Sequence, residues 1–321
     1  MSGEMVYTVT LNPAWDRTAE VERLVQGGTH LLGAVRGDAG GKGVNVSRVL
    51  RAMGGGTCAL GLLGGGPGDQ LEETLRQEGV RAGFVRLPAP CRVNTKIVDR
   101  SAGVTTEFNE LGPRADAGAL EALEAQLRQL PPGAVAVLAG SLPPGAPADW
   151  YARAAGCCRG CGARVVLDAS REALRLGLAG EPEIVKPNRE ELEYLCGGAA
   201  LQGEALLAAA RALLQGRTGL AAVSLGADGA LFAARRFAVL AAAPRVRAAS
   251  TVGAGDTMTA VLARWLAHRP EQWEPQDGQT LSELARQAVA AATAKVLRPG
   301  TQPPRLEEIE EMKARVTLKE L

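Results

Sequence analysis

The sequence predicts an α/β fold: a largely parallel sheet between helical layers, with a small second sheet attached. Three observations predict it. Short apolar runs alternate with stretches of helical periodicity, the apolar runs are nearly continuous, and two segments break the rhythm. Continuous apolar strands mark a sheet buried on both faces, as parallel sheets are. With 321 residues, 46% of them hydrophobic, the chain can hide roughly 75% of its unfolded surface, enough for one domain over 1–321.

In chain order, "MVYTVTL" (5–11) reads as the first strand and "GTCALGLLG" (56–64) as the second. Val46, Val49, Leu50 and Met53 give a helical face between them. Leu120, Leu123, Leu127 and Leu130 form the next stripe, before the strand "AVAVLAG" (134–140). "ARVVLDAS" (163–170), "EIVKPN" (183–188) and "LAAVSLG" (220–226) are further strands, and the spacers at 147–156, 189–196 and 203–215 are long enough for helices. Leu281, Leu284, Ala285, Ala288, Val289 and Ala292 mark a late helix, after an exposed connection at 269–280.

The segments that break the rhythm are about 12–36, polar and Gly-containing, and 91–110, which alternates around the turn "RSAG". They predict a small sheet able to close over a cleft. In open α/β sheets that cleft lies beyond the C-terminal ends of the parallel strands.

Charge excludes some functions. Thirty-six Lys and Arg against 35 Asp and Glu leave no dominant basic surface for nucleic acid. No uninterrupted apolar stretch reaches membrane-spanning length, and the opening "MSGEMVYTVTLNPAWD" lacks the basic segment and apolar core of a signal peptide. A cytoplasmic protein with no membrane or nucleic-acid partner is expected. Of six cysteines, Cys157, Cys158 and Cys161 cluster, but without a second close pair they read as buried or loop thiols rather than a zinc site.

Several short stretches can carry chemistry. In "GDAGGKGVNVSRVL" (37–50) Gly40, Gly41 and Gly43 form a flexible turn before a helix, with Lys42 and Asn45 as polar handles. It is not a nucleotide P-loop, since Gly43 follows "GK"; it suits a polyol or phosphate. Arg92, Asn94 and Lys96, two apart, share one strand face, and Asp16 can accept hydroxyl hydrogen bonds. In "KPNREEL" (186–192) Asn188 and Glu191 fit a capping box and equally a magnesium site beside phosphates. Ser224, Gly226 and Gly229 border a tight turn between strands. Finally, "STVGAGDTMTAVLARWL" (250–266) places Gly253, Ala254 and Gly255 before Asp256 and an apolar helix. Small residues at a helix start let backbone donors face an anion. A carboxylate there can receive a hydroxyl proton as that oxygen attacks phosphorus.

Together, "GGKGVN" (40–45), "KPNREE" (186–191) and "TVGAGDTMTA" (251–260) resemble the ribokinase-like PfkB carbohydrate kinase family. "TLNPAWD" (10–16) and "CRVNTK" (91–96) narrow the resemblance to the branch of 1-phosphofructokinase and tagatose-6-phosphate kinase. It runs from about residue 5 to 304. It implies a Rossmann-type three-layer α/β/α core with a β-sheet lid built from 12–36 and 91–110. It also implies transfer of the γ-phosphoryl of ATP, with Mg²⁺, to a ketohexose phosphate. Fructose 1-phosphate is the preferred acceptor and tagatose 6-phosphate the alternative; a non-catalytic sugar-phosphate-binding regulator is the remote one.

By the same resemblance Asp256 is the catalytic base, and Gly253, Ala254 and Gly255 form the anion hole. Asp16, Gly40, Lys42 and Asn45 bind sugar hydroxyls, while Arg92, Asn94 and Lys96 reach the substrate from the lid and Ser141 lies on the substrate side. Lys186, Asn188, Ser224, Gly226 and Gly229 serve the nucleotide, Glu191 the metal, and "RPGT" (298–301) with the late helix frames the adenine. Pairing of two copies through the lid is implied as a homodimer.

Overall fold

A computed structural model describes residues 5–269 and 273–321; Pro270, Glu271 and Gln272, within the expected 269–280 connection, lie outside the described residues. The first half of the chain runs β1 (Met5–Thr10), β2 (Ala14–Val21), β3 (Val35–Gly40), α1 (Lys42–Ala52), β4 (Gly56–Leu63), α2 (Gly65–Gln77), β5 (Arg81–Arg86), β6 (Arg92–Asp99), β7 (Val104–Phe108), α3 (Ala117–Leu127) and β8 (Val135–Gly140). There follow α4 (Trp150–Gly160), β9 (Arg164–Ala169), α5 (Arg171–Gly177), β10 (Ile184–Val185), α6 (Arg189–Leu195), α7 (Gly203–Ala212) and β11 (Leu220–Ser224). The chain closes with β12 (Ala230–Ala234), β13 (Ala238–Ala242), α8 (Ala254–Ala267), α9 (Gly278–Val296), α10 (Leu306–Lys313) and β14 (Thr317–Glu320).

Ten strands form the main sheet in the order β14-β13-β12-β11-β10-β9-β8-β1-β4-β5. From β5 through β11 every pairing is parallel. The last three strands are antiparallel. Every residue of β8 and β9 is buried, with side chains alternating between two cores. Val137, Ala139 and Val166 pack toward α1, α8 and α9. Ala136, Leu138, Val165 and Leu167 pack toward α3 and α4. Burial on both faces is why these strands read as unbroken apolar runs.

The architecture is the ribokinase-like α/β/α sandwich. The chain order jumps at β1, flanked by β4 on one side and β8 on the other; such a reversal opens a crevice beyond the strand C-termini. Strands β2 and β3 from the first irregular segment pair with β6 and β7 from the second, in the order β3-β2-β6-β7. Only β2–β6 is parallel, with Asp16 beside Asn94 and Thr18 beside Lys96. Trp15 packs with the small core under this sheet and lies over Gly37, where any side chain would collide with its ring.

Some boundaries differ from the expectation. The strand expected at 183–188 is two residues long, because Pro187 has no N–H to extend the ladder. Helix α4 runs through Gly160 rather than ending near 156, so Cys157 and Cys158 are helical, and all six thiols are free. Among the described residues no cluster of three metal-ligating side chains occurs. No described helix is long and apolar enough to cross a membrane.

Candidate active site

The turn at 40–45 connects three groups of polar side chains. Gly40 ends β3 facing Asp16; a Cβ there would sit 2.8 Å from the Asp16 carboxyl carbon. Gly41 caps α1 at φ 114°, a left-handed geometry that glycine accepts without strain. Lys42 then reaches Asp168 at 2.7 Å, and one turn later the Asn45 amide donates to Asp256 Oδ2 at 2.7 Å. Six residues of backbone thereby tie together three buried carboxylates, Asp16, Asp168 and Asp256.

Asp256 lies in the first turn of α8, after Gly253 at φ 83°. That turn carries N–H groups without intrahelical acceptors and the positive end of the helix dipole. The carboxyl is 7% exposed. Burial, then the nearby Asp168 charge, push its pKa up to about 6, against the opposing pull of Lys42, Asn45 and Lys186. A carboxylate tuned to that range is ionised at neutral pH yet basic enough to take a proton.

Asp168, fully buried at the C-terminal end of β9, organises the cations. It pairs with Lys42 Nζ at 2.7 Å and Lys186 Nζ at 3.1 Å, and accepts from Thr259 Oγ1 at 2.7 Å. Burial alone would raise its pKa, but Lys186 and Lys42 outweigh it and the net direction is down. Lys42 is held above the ordinary lysine range: burial opposes this, but Asp168, Glu191 and Asp256 prevail. Lys186 Nζ lies 3.4 Å from where a Gly255 Cβ would stand. The two ammonium groups therefore flank the start of α8. The expectation that Lys42 meets sugar hydroxyls beside Asp16 is not what its contacts display, since its ammonium turns to Asp168 and, at 3.9 Å, Glu191.

The second sheet supplies another polar face. Asn94 Nδ2 donates to Asp16 Oδ1 at 2.8 Å, Lys96 Nζ lies 3.5 Å from Asp16 Oδ2, and Arg92 Nε donates to the Asn12 carbonyl at 3.2 Å. The two-residue spacing does put these side chains on one face. Oδ1 of Asn45 and Oδ1 of Asn94 are buried without a hydrogen-bond partner among the described residues. Buried acceptors left unsatisfied cost free energy, and ligand hydroxyls are donors that would satisfy them. Ser141 is exposed at the end of β8 and receives only a long 3.5 Å contact from Asn12 Nδ2.

A cavity of about 520 Å³ opens on the other side of Asp256. Lys42, Lys186, Glu191 and Gly255 line its polar end, and Val246, Val289, Ala292 and Val296 its apolar end, with Ser224, Gly226 and Gly229 between. Gly229, at φ 101°, is packed against the Ala241 carbonyl and leaves no room for a side chain. Asn188 and Glu191 form the full capping box: Asn188 Oδ1 accepts from Glu191 N at 2.7 Å and Glu191 Oε2 from Asn188 N at 2.8 Å. Glu191 Oε1 accepts from Ser170 at 2.6 Å. This oxygen-only set fits a hard cation reached through water and carried mainly by phosphate oxygens, and does not fit an all-protein cage. The "RPGT" segment does not line the cavity. Gly300 and Thr301 instead bind Lys295 and Arg48, and Ala243, Pro244, Arg245, Val246 and Ala248 line the cavity.

Sequence reasoning missed Asp168, whose only signal is a charged residue closing the apolar run "RVVLDA". It also missed Lys295, one helical turn before "RPGT".

The sequence model of the pfkB family carbohydrate kinase matches residues 9–309. The 1-phosphofructokinase of Rhodobacter capsulatus is 38% identical over 318 residues, 98% of each chain. That of Xanthomonas campestris is 38% identical over 297 residues, 90% of each chain. Among solved structures, phosphofructokinase-2 from Escherichia coli in complex with potassium superposes with a TM-score of 0.90 at 30% identity, covering 97% of this chain and 99% of that one. The same E. coli protein has a tetrameric inhibited form, an assembly larger than the homodimer expected above.

Proposed function

The chain belongs to the pfkB family of carbohydrate kinases and is an ATP-dependent ketose-phosphate kinase; from that premise we propose that it is a 1-phosphofructokinase, converting fructose 1-phosphate and ATP to fructose 1,6-bisphosphate and ADP. One observation carries the chemistry: Asp256, buried at a helix start, stands between a polar pocket with unsatisfied acceptors and a cavity flanked by two lysines. The choice of sugar is supported by two relatives of that name at 38% identity.

In this reading the cavity takes ATP, its adenine between the 243–248 segment and α9 and its phosphates toward Lys186, Ser224 and the turns at Gly226 and Gly229. Asp16, Asn45 and Asn94 hold the sugar hydroxyls, with Gly40 leaving Asp16 its space and Ser141 at the rim. Arg92 and Lys96 meet the phosphate already on the sugar. Asp256 takes the proton of the attacking hydroxyl, and the α8 start at Gly253, Ala254 and Gly255 stabilises the transferring phosphoryl group. Lys42, whose ammonium turns to Asp168 and Glu191, serves the phosphoryl side in this reading. Mg²⁺, held through water by Glu191 with Asn188 orienting that carboxylate, would neutralise phosphate charge. The β3-β2-β6-β7 sheet closes the site against water.

That sheet is also the surface through which copies of the chain associate. Among the described residues, seven of the ten exposed large hydrophobic ones fall there or in its loops, Leu31, Phe108 and Leu111 foremost; such concentrations mark association surfaces. Sedimentation equilibrium measures the assembly, and a monomer at micromolar concentration would remove this association.

The deciding experiment is coupled ADP release with fructose 1-phosphate, tagatose 6-phosphate and fructose 6-phosphate. The expected order puts fructose 1-phosphate first in kcat/KM. A higher value for tagatose 6-phosphate would transfer the proposal to tagatose-6-phosphate kinase.

A further inference from the structure

Lys295 is a buried charge that the reaction scheme above does not use. It sits in the last turn of α9 and is 1% exposed. Its Nζ donates to the Gly300 carbonyl at 2.9 Å and approaches that of Arg298 at 3.5 Å. No described carboxylate lies within 4.0 Å of it. An ammonium so buried and without an ion-pair partner is costly, and the negative end of one helix dipole offsets only a part of that cost.

Its location is specific. A Cβ on Gly253 would stand 3.4 Å from Lys295 Cε, so the lysine stem runs directly behind the left-handed residue that starts α8. The approach to that turn is tied to the same place: Ala249 N and Ser250 N both donate to the Val296 carbonyl, at 2.7 and 3.1 Å. The end of α9 is thus the platform on which the phosphoryl-binding turn rests, and Lys295 is its one charged member.

We propose that Lys295 is a positioning residue of the phosphoryl transfer: a fixed internal cation that braces the turn at Gly253 from behind and favours negative charge on its open side. The proposal rests on the kinase reading of Asp256 and its turn. The charged groups around Lys295 come from every neighbouring element: Asp256 on α8, Arg48 on α1, Arg298 after α9 and Asp38 on β3. Burial, with Arg48 and Arg298, brings its pKa down to about 8, against the attraction of Asp256 and Asp38. Its charge is therefore present at neutral pH and lost as pH rises through that value.

A merely structural lysine predicts a lower melting temperature on its loss with the pH profile of kcat unmoved, whereas an apolar residue of similar volume in place of a buried charge without an ion-pair partner removes a desolvation cost. Lys295→Met is therefore the decisive variant. It should melt at or above the temperature of the parent while kcat at pH 7.5 falls about tenfold or more, with both KM values nearly unchanged. The acid limb of its kcat profile should move to higher pH, since Asp256 loses a favourable cation, and the alkaline limb near pH 8 should disappear. In Lys295→Ala, added butylammonium should restore part of the lost kcat and butanol none of it. The kinetics use whichever ketohexose phosphate the parent turns over fastest, so a wrong sugar assignment would show in the parent alone. Lys295→Met with kcat within twofold of the parent and an unmoved acid limb overturns the proposal.

Discussion

Replacing Asp168 with Asn tests whether one buried carboxylate sets both the stability and the electrostatics of the site. The substitution keeps the shape and the Thr259 hydrogen bond but removes the charge facing Lys42 at 2.7 Å and Lys186 at 3.1 Å. Breaking a buried ion pair by neutralising one partner costs about 3–5 kcal/mol. Lys42 has a 32% exposed side chain and keeps Glu191 at 3.9 Å, so most of the cost falls on Lys186, whose side chain is 4% exposed. The lower end, about 3 kcal/mol, applies, and with an unfolding entropy of about 2.1 cal/mol/K per residue it lowers Tm by about 4–5 °C in a chain of this size. Because the folded carboxyl is held below its usual range, this contribution is fully present above about pH 4 and lost in stronger acid. Calorimetry at pH 7.5 therefore reads all of it. The second readout is kinetic. Asp168 is, after burial, the largest influence raising the Asp256 pKa, so the acid limb of kcat should move below pH 6 in the variant. Substrate phosphates titrate in the same range, but a substitution in the protein leaves their intrinsic values unchanged. A Tm loss under 2 °C together with an unmoved acid limb would refute the reasoning.

Asp256→Asn should lower kcat by about 10²–10⁴ without lowering Tm, since a carboxyl whose folded pKa is raised to about 6 gains from being neutral. A fall in stability as large as the fall in activity would show that the residue holds the fold and not the proton. In the parent, kcat should fall about tenfold between pH 7 and pH 5 as that carboxylate protonates, which a pH series of ADP release measures. Gly40→Ala places a methyl 2.8 Å from the Asp16 carboxyl carbon and should raise the KM for the sugar phosphate several-fold, with the KM for ATP unchanged; equal changes in both would separate Gly40 from the sugar side.

What the sequence determined by itself was local. The parallel core was legible because strands buried on both faces are nearly continuous apolar runs, as β8 is throughout and β9 is apart from Arg164 and Asp168. The helix start at Asp256 and the capping box at Asn188–Glu191 were legible because each is written in consecutive residues with a defined backbone geometry. Arg92, Asn94 and Lys96 were placed on one face by the two-residue period of a strand, which needs no partner to hold. The C-terminal additions α10 and β14 were not legible: β14 is a four-residue edge strand, largely exposed, whose existence depends on pairing with β13.

Partnership was decided by tertiary structure. Asp168 lies 126 residues from Lys42 and 91 from Thr259, and no local pattern distinguishes a carboxylate that orders two ammonium groups from one that ends a strand. The same holds for Lys42, which the turn "GGKGVN" could have aimed at either a sugar or a phosphate. Only the arrival of β9 beneath the turn, with Asp168 at its end, turns its ammonium to that carboxylate. Short-range geometry follows from backbone dihedral angles and side-chain periodicity. The pairing of buried charges follows from which elements the packed core brings together, because in a low-dielectric interior each charge must take the partner that packing delivers.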